Sequence, residues 1–503
     1  MFVRKKKNKS GVISIQVIDK SNGKYRLLKT IGSSGDSLEI ERLFNEGAAW
    51  IETKTGVREL DFTDYSHHTS LVVQGIEHIS VCGPELLLGK IFDTIGFNQI
   101  KDDLLRQLVF ARLCFPVSKL KTTDYLSKYQ FLDIDVQSVY RYLDKLHKHQ
   151  KEQVQQISYE HTLKILNGKI NVVFYDVTTV YFESDDGDDL RKTGFSKEGK
   201  HQHPQIVLGL LVSRSGYPLA YEIFEGNKFE GHTMLPVIEA FKKKYSLDKL
   251  VVVADSGLLS NENIQMLEEG GYEYILGARI KASNRELKEQ LLKLDLKNGE
   301  KKSIGISSKT RLIVSYSEAR AKKDAHNRKR GLKKLEKQIK SGKLTKASIN
   351  NRGYNKFLEI KSEIKIDIDQ QKILEDQKWD GLKGYITNSK LNDDEILENY
   401  KELWQIEKAF RIAKTDLEIR PIYHRKQRRI ESHICIAFTA YKVYKELERQ
   451  LKQKESKLSP EKAIDIAKTI YAVKIVHPIT KCITYSTIIK TEEQLNLAKL
   501  FDF

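Results

Sequence analysis

Three acidic residues stand where a carboxylate needs a reason. Asp176 lies inside NVVFYDVTTVYFES (171–184), an apolar, β-branched and aromatic run, where an unpaired buried charge is costly. Asp255 closes LVVVADSG (250–257), and Glu407 sits in ENYKELWQIEKAFRIAKTDL (398–417). All three are oxygen donors with no thiol or imidazole beside them, a set that suits Mg²⁺, with Mn²⁺ as a substitute. Two such ions can clamp the attacking and leaving oxygens of an in-line phosphoryl displacement. Blander readings stay open for each acid. Asp176 could be a core acid paired with a lysine. Asp255 could cap the helix starting near 260, although Ser260 and Asn261 are nearer caps. Paired carboxylates also serve glycosidases, a reading that strong basicity and the lack of an aromatic-rich cleft signature disfavour.

The elements that must position these acids are legible from periodicity. In 398–417, Leu403, Ile406, Phe410, Ala413 and Leu417 form an apolar stripe at spacings 3, 4, 3, 4. A second stripe about 100° away carries Tyr400, Trp404, Glu407, Arg411 and Lys414. One face is expected to pack on a core while the other offers a phenol, an indole, a carboxylate and two cations. An ordinary amphipathic helix would show charges there too.

Upstream, strand-like runs at 169–182, 206–213 and 217–226 suggest an antiparallel meander. A helix (232–245), a strand (250–257), a helix (261–271) and a strand (272–278) then suggest a parallel extension, hence a mixed sheet covered by helices. Asp255 falls at the carboxyl end of its strand, where ligand groups cluster in such sheets. Residues 12–31 alternate around the Asn22–Gly23 pair and predict a β-hairpin. From about 38 to 165 the pattern is mostly helical, and 122–146 is compatible with a helix-turn-helix. Residues 279–380 interrupt the α/β pattern and include a basic helical stretch (318–346) with 12 Lys/Arg against 3 Asp/Glu. That stretch is either a solvated arm or a phosphate-backbone contact.

The chain has 503 residues, enough for several domains, with 40% hydrophobic and 31% charged residues. Its 86 Lys/Arg against 68 Asp/Glu give a net charge of +18, which favours a polyanionic partner, nucleic acid first. Four scattered cysteines without C-x-x-C spacing argue against a disulfide framework or zinc ribbon and fit a reducing cytoplasm. No apolar run reaches the length of a membrane span, and no signal-peptide core follows the basic N-terminus.

The strand order, with acids on the first and fourth strands and a late helix, resembles the RNase H-like core of D-D-E transposases of bacterial insertion sequences. The helix is similar to the Y-x2-R-x3-E-x6-K signature of insertion-sequence family four, its sixteen-thirty-four branch especially. Tyr400, Glu407 and Lys414 match, while Leu403 stands where the signature has Arg. YDVTT around Asp176, FSKEGKHQHPQIVLGLLVSRSGYPLAYEIFEGN (195–227), VVADSGLLS around Asp255 and RPIYHRKQRRIESHICIAF (420–438) look like the same branch.

The resemblance implies an α/β fold: an RNase H-like mixed-sheet catalytic core at 166–278 and 381–450, interrupted by a β-containing basic subdomain at 279–380. Before it come a β-containing segment (1–60) and a helical, DNA-binding region (61–165); a C-terminal helical segment (451–503) follows as part of a dimer interface. Further implications are DNA transposition by cut-and-paste strand cleavage and strand transfer, with Asp176, Asp255 and Glu407 as catalytic ligands of two Mg²⁺ ions. Tyr400, Trp404, Lys408, Arg411, Lys414 and Arg420 become DNA contacts. The expected partners are inverted-repeat ends, target DNA and a second copy of the chain, in a prokaryotic cytoplasm at the nucleoid. A nuclease without strand transfer, and a catalytically inactive DNA-binding regulator, are the competing readings.

Overall fold

The computed structural model describes residues 1–9, 11–21, 23–55, 70, 72–184, 186–196, 199–247, 249–342, 344, 350, 353–362 and 365–503. The chain forms two compact units, one of residues 1–77 and 474–484, the other of 78–473 and 485–503.

In the first unit, β1 (Phe2–Lys7), β2 (Ile13–Asp19) and β3 (Arg26–Ser34) make an antiparallel sheet in the order β1-β2-β3. The predicted hairpin is the β2–β3 pair; Asn22 of its turn lies outside the described residues, as do residues 56–69. Ile15 of β2 is covered by Ile40 and Leu43 from the helix Ser37–Thr55. Among its described residues, the region read as helical holds one strand, β4 (Ile76–Val81), before helices Gly83–Ile95, Asp103–Cys114, Lys119–Gln130, Val136–Lys145 and Lys151–Ile165.

The larger unit is built on an eight-stranded sheet. β5 (Val172–Tyr181), β6 (Gln205–Ser213) and β7 (Pro218–Glu225) are the expected meander, and β8 (Val251–Ala254) and β9 (Glu273–Ala278) are the parallel extension. β10 (Lys301–Gly305) and β11 (Arg311–Tyr316) come next, then a separate hairpin of β12 (Leu358–Ser362) and β13 (Lys365–Ile368), then β14 (Leu382–Thr387). The sheet order is β10-β11-β14-β9-β8-β5-β6-β7. The interrupting segment therefore does not stand wholly apart: β10 and β11 pair onto β14 and extend the same sheet. The basic helix Glu318–Lys340 is held there by Arg328, whose guanidinium reaches Asp376 and Asp380.

Pleat parity sorts the sheet into two faces. Phe174, Val180, Leu208, Leu210 and Val253 face a core with Ile406, Phe410, Ile434 and Phe438, the last two from the long helix Gln427–Gln453. Tyr175, Val177 and Val252 face the other way, onto Met234, Ile238, Phe241 and Leu267.

Two expectations need correcting. The C-terminal segment from 451 is not purely helical: besides Pro460–Ala467 and Glu492–Phe501 it carries β15 (Tyr471–Val476) and β16 (Ile483–Ile488), in a sheet of order β16-β15-β4. Both strands alternate or carry β-branched residues (AVKIV, ITYSTI), the pattern that favours a pleated surface. The 398–417 stretch is not one helix but two, Asp393–Lys401 and Trp404–Thr415. No Gly or Pro marks the break at Glu402–Leu403. Leu403 N–H bonds back to the Tyr400 carbonyl and Gln405 N–H to the Glu402 carbonyl, three residues rather than four, so the chain tightens there.

Candidate active site

β5 and β8 run parallel with Val172 opposite Val251, Val173 opposite Val252 and Phe174 opposite Val253. The ladder ends at the Phe174–Val253 pair; Asp176 lies two residues further on within β5, and Asp255 two residues further on, just past the end of β8. Both acids share the pleat face of Phe174 and Val253, the face covered by the Trp404–Thr415 helix that bears Glu407. Asp176 is half-buried, and Asp255 and Glu407 are exposed.

Local chemistry sets each carboxylate. One Asp176 oxygen accepts the Val177 N–H at 2.7 Å. Asp255 is not the helix cap: Ser260 fills that role, its hydroxyl accepting the Asn263 N–H at 3.1 Å. Instead Asp255 Oδ1 accepts the Gly257 N–H at 2.8 Å, and Arg279, just past β9, donates to the Ser256 carbonyl at 2.8 Å and the Gly257 carbonyl at 3.3 Å. The loop carrying Asp255 is thus tied down on both sides.

Tyr400, on the Asp393–Lys401 helix, lies near both this loop and Glu407. Its ring stands edge-on to Tyr385 of β14 at 4.7 Å, and Lys383 Nζ lies 4.5 Å from its centroid. A Cβ on Gly277, opposite Tyr385 in the ladder, would fall 2.4 Å from the Tyr400 hydroxyl. Burial, then Asp255, Tyr385 and Glu407, push the phenol well above its ordinary value, so both exposed carboxylates lie within its electrostatic reach. Lys383 is held below the usual lysine value by burial and by Arg320, with Glu407 acting oppositely. Lys383 and Arg279 were not singled out in the sequence. Their only cue is a cation at or just past the end of a sheet strand, too common to select them.

The proposed DNA contacts separate by environment. Trp404 is 47% exposed and Arg411 is exposed. Lys414 and Arg420 are half-buried. Tyr400 is buried beneath Lys383 and is not a surface contact, because the helix break turns it inward. Lys408 is also withdrawn: its ammonium pairs with Glu448 of the long helix, and this contact with Lys445 holds the Glu448 carboxyl down at about 2.

The donor chemistry fits a divalent cation: hard oxygens at two neighbouring parallel strands and on a helix packed against the same sheet. Among the described residues, no three His, Cys, Asp or Glu side chains are already gathered closely enough to hold an ion. Asp176 and Asp255 each stand two residues beyond the last paired residues of those strands, and Glu407 is on the helix that packs on them. Among the described residues, no helix is long and apolar enough to cross a membrane.

No curated protein matches the chain. Among solved structures, it is similar to a piggyBac transposase synaptic complex with hairpin DNA (9% identity, 77% of this chain and 78% of that one, TM-score 0.39). It is also similar to a Mos1 mariner paired end complex with Mn (13% identity, 31% and 54%, TM-score 0.15). At those TM-scores neither likeness bears on function. The family described as transposase DDE domain matches residues 167–442, a span that contains β5, β8, the Trp404–Thr415 helix and all three carboxylates. The chain belongs to the transposase DDE domain family.

Proposed function

We propose that this transposase-family chain cleaves DNA at the ends of its own mobile element and joins the freed ends to target DNA, by a cut-and-paste route on an RNase H-like core. The observation that carries the reading is the placing of Asp176 and Asp255 two residues beyond the last pair of the adjacent parallel strands β5 and β8, with the Glu407 helix packed on that side of the sheet. The β7-β6-β5-β8-β9 order, three antiparallel strands followed by two parallel ones, supports the RNase H-like assignment within the wider sheet.

Asp176, Asp255 and Glu407 are the residues that would hold Mg²⁺ or Mn²⁺, two ions in the full site. Bound there, such ions lower the pKa of water and neutralise charge on a phosphodiester in flight. The remaining work falls to the chain. The Gly257 N–H holds the Asp255 carboxylate and Arg279 holds its loop, while Tyr400 packs on Gly277 and Tyr385 beside them. Trp404 offers a base-stacking face and Arg411 a phosphate contact on the same exposed side. Hydrolysis breaks one P–O3′ bond, adds water, and leaves a 3′-hydroxyl and a 5′-phosphate. In joining, that 3′-hydroxyl attacks a target phosphodiester, one P–O bond forms as another breaks, and no external energy source is needed.

The helical region 61–165, including the helix pair Lys119–Gln130 and Val136–Lys145, is assigned to end recognition, and the working form to a homodimer on paired ends. The test is cleavage of end-containing DNA with Mg²⁺ by wild type and by Asp176→Ala, Asp255→Ala and Glu407→Ala. Loss of cleavage with retained end binding is expected. Cleavage surviving in all three variants overturns the site. A plasmid-joining assay separates transposition from plain nuclease action.

A further inference from the structure

At the far end of the Glu407 helix, the segment 116–121 and the segment 418–424 enclose a cavity of about 510 Å³. Its wall is unusually rich in cations. Lys119 is only 5% exposed, yet its ammonium has no hydrogen bond or ion pair among the described residues. Buried lysines are ordinarily paired. Arg112, 4% exposed, donates to the carbonyls of Leu417 and Glu418 at 3.3 Å, which fixes the 418–424 wall while leaving its positive charge unneutralised by a buried acid. His424 and His433 lie 5.6 Å apart, both buried, and His433 Nε2 is committed to the Ile419 carbonyl at 3.0 Å. Glu418 is the single acid in the wall, and it is exposed.

The groups also act on one another. Burial and Arg112 push Lys119 well below its ordinary value, and burial with Lys119, Arg429 and Arg112 brings His424 down to about 3. Such mutual repulsion is a cost to the folded chain that an anion in the cavity would relieve. The Lys119–Gln130 helix, capped by Ser118, begins at the same wall and turns the positive end of its dipole there.

We propose that this cavity binds a phosphate of a DNA strand against Lys119 and Arg112, with the adjoining sugar and base in the remaining volume. A strand is favoured over a free ion because the cavity is in the size range of small-molecule sites, roughly 300–1,000 Å³, and opens beside Tyr423, which is 63% exposed. It lies past the C-terminal end of the Trp404–Thr415 helix, which runs on from Glu407 for about 12 Å at 1.5 Å per residue. Arg420 of its wall was already proposed as a DNA contact, and Lys119 belongs to the helix pair assigned to end recognition, so the inference deepens that reading to one cavity. The inference concerns binding alone, so it stands or falls independently of the cleavage reading.

The probe is a 5′-phosphorylated hexathymidylate, short enough to limit non-specific contacts, titrated into the full chain. Lys119→Met is compared with the charge-matched control Lys243→Met, a substitution at an exposed position outside the helical region assigned to end recognition. Lys119→Met should weaken binding at least tenfold while leaving the melting temperature unchanged or raised. Lys243→Met should stay within about twofold, in line with loss of one general charge, and millimolar inorganic phosphate should compete for the wild-type site. Lys119→Met binding within twofold of wild type overturns the proposal, as does a lowered melting temperature, which would reveal a structural partner for Lys119. Thymidine monophosphate binding as tightly as the hexamer would also overturn the strand assignment, in favour of a free-nucleotide site.

Discussion

Gly277 and Tyr400 form the tightest test of how the site is assembled. A methyl group at Gly277 would sit 2.4 Å from the Tyr400 hydroxyl and 3.0 Å from the Ser256 N–H. The hydroxyl cannot simply swing away, because the ring is braced by Tyr385 at 4.7 Å and covered by Lys383 at 4.5 Å. Overpacking of this kind costs about 1–3 kcal/mol, against which alanine's strand advantage over glycine returns roughly 0.5–1 kcal/mol. Gly277→Ala should therefore destabilise the chain by about 1–2 kcal/mol. Tyr400→Phe removes the clashing atom, so the double variant should recover most of that loss. The coupling in a double-mutant cycle is expected at about 1–2 kcal/mol. Urea denaturation followed by tryptophan fluorescence measures the four species, and end cleavage is read in parallel. Gly277→Ala should cut cleavage more than its stability loss explains, because the methyl crowds both Tyr400 and Ser256 of the Asp255 loop. Additive energies, with coupling under about 0.3 kcal/mol, would refute the claim that Tyr400 packs directly on Gly277 beside that loop.

Further outcomes follow from the same contacts. Asp255→Asn keeps an oxygen for the Gly257 N–H, so it should fold like wild type. It should nevertheless lose the Mg²⁺-dependent stabilisation, about 1.4 kcal/mol at 10 mM for a Kd of about 1 mM, as read by thermal unfolding with and without chelator. Arg411→Ala should weaken DNA binding and lower the salt slope by about 1. Lys408→Ala should instead lower stability, because it strips a partner from Glu448, with little change in the salt slope. His161 is held down to about 4 by burial and Lys442, against an ordinary value of 6.5. The unfolded chain therefore takes up its proton first as pH falls. Stability is full above pH 6.5 and declines towards pH 4, by up to about 3 kcal/mol for this group. His161→Gln should flatten that decline in urea midpoints taken across the window.

What the amino-acid order determines here is local and periodic. The apolar run around Asp176, the strand closed by Asp255 and the 3-4 stripe from Leu403 to Leu417 each report which face of one element is buried, since that depends only on spacing along the chain. Hence the meander, the parallel extension and the face opposite Glu407 could be read directly. The basic composition likewise pointed to a polyanion. The break at Glu402–Leu403 could not be read, because no Gly or Pro encodes it, and it goes with the packing of Tyr400 onto Tyr385 and onto Gly277, the latter more than 100 positions upstream. The fate of the cations was equally hidden. Lys408 and Arg411 are three residues apart on one helix, but the long helix presents Glu448 to Lys408 and leaves Arg411 in solvent. Lys119 looks like any lysine until the 418–424 segment closes over it. Above all, the placing of Asp176 and Asp255 on neighbouring strands rests on a ladder offset of 79 positions. A one-residue slip would turn one acid to the opposite face. Periodicity names the candidates, and only register and packing across the folded chain decide which of them meet.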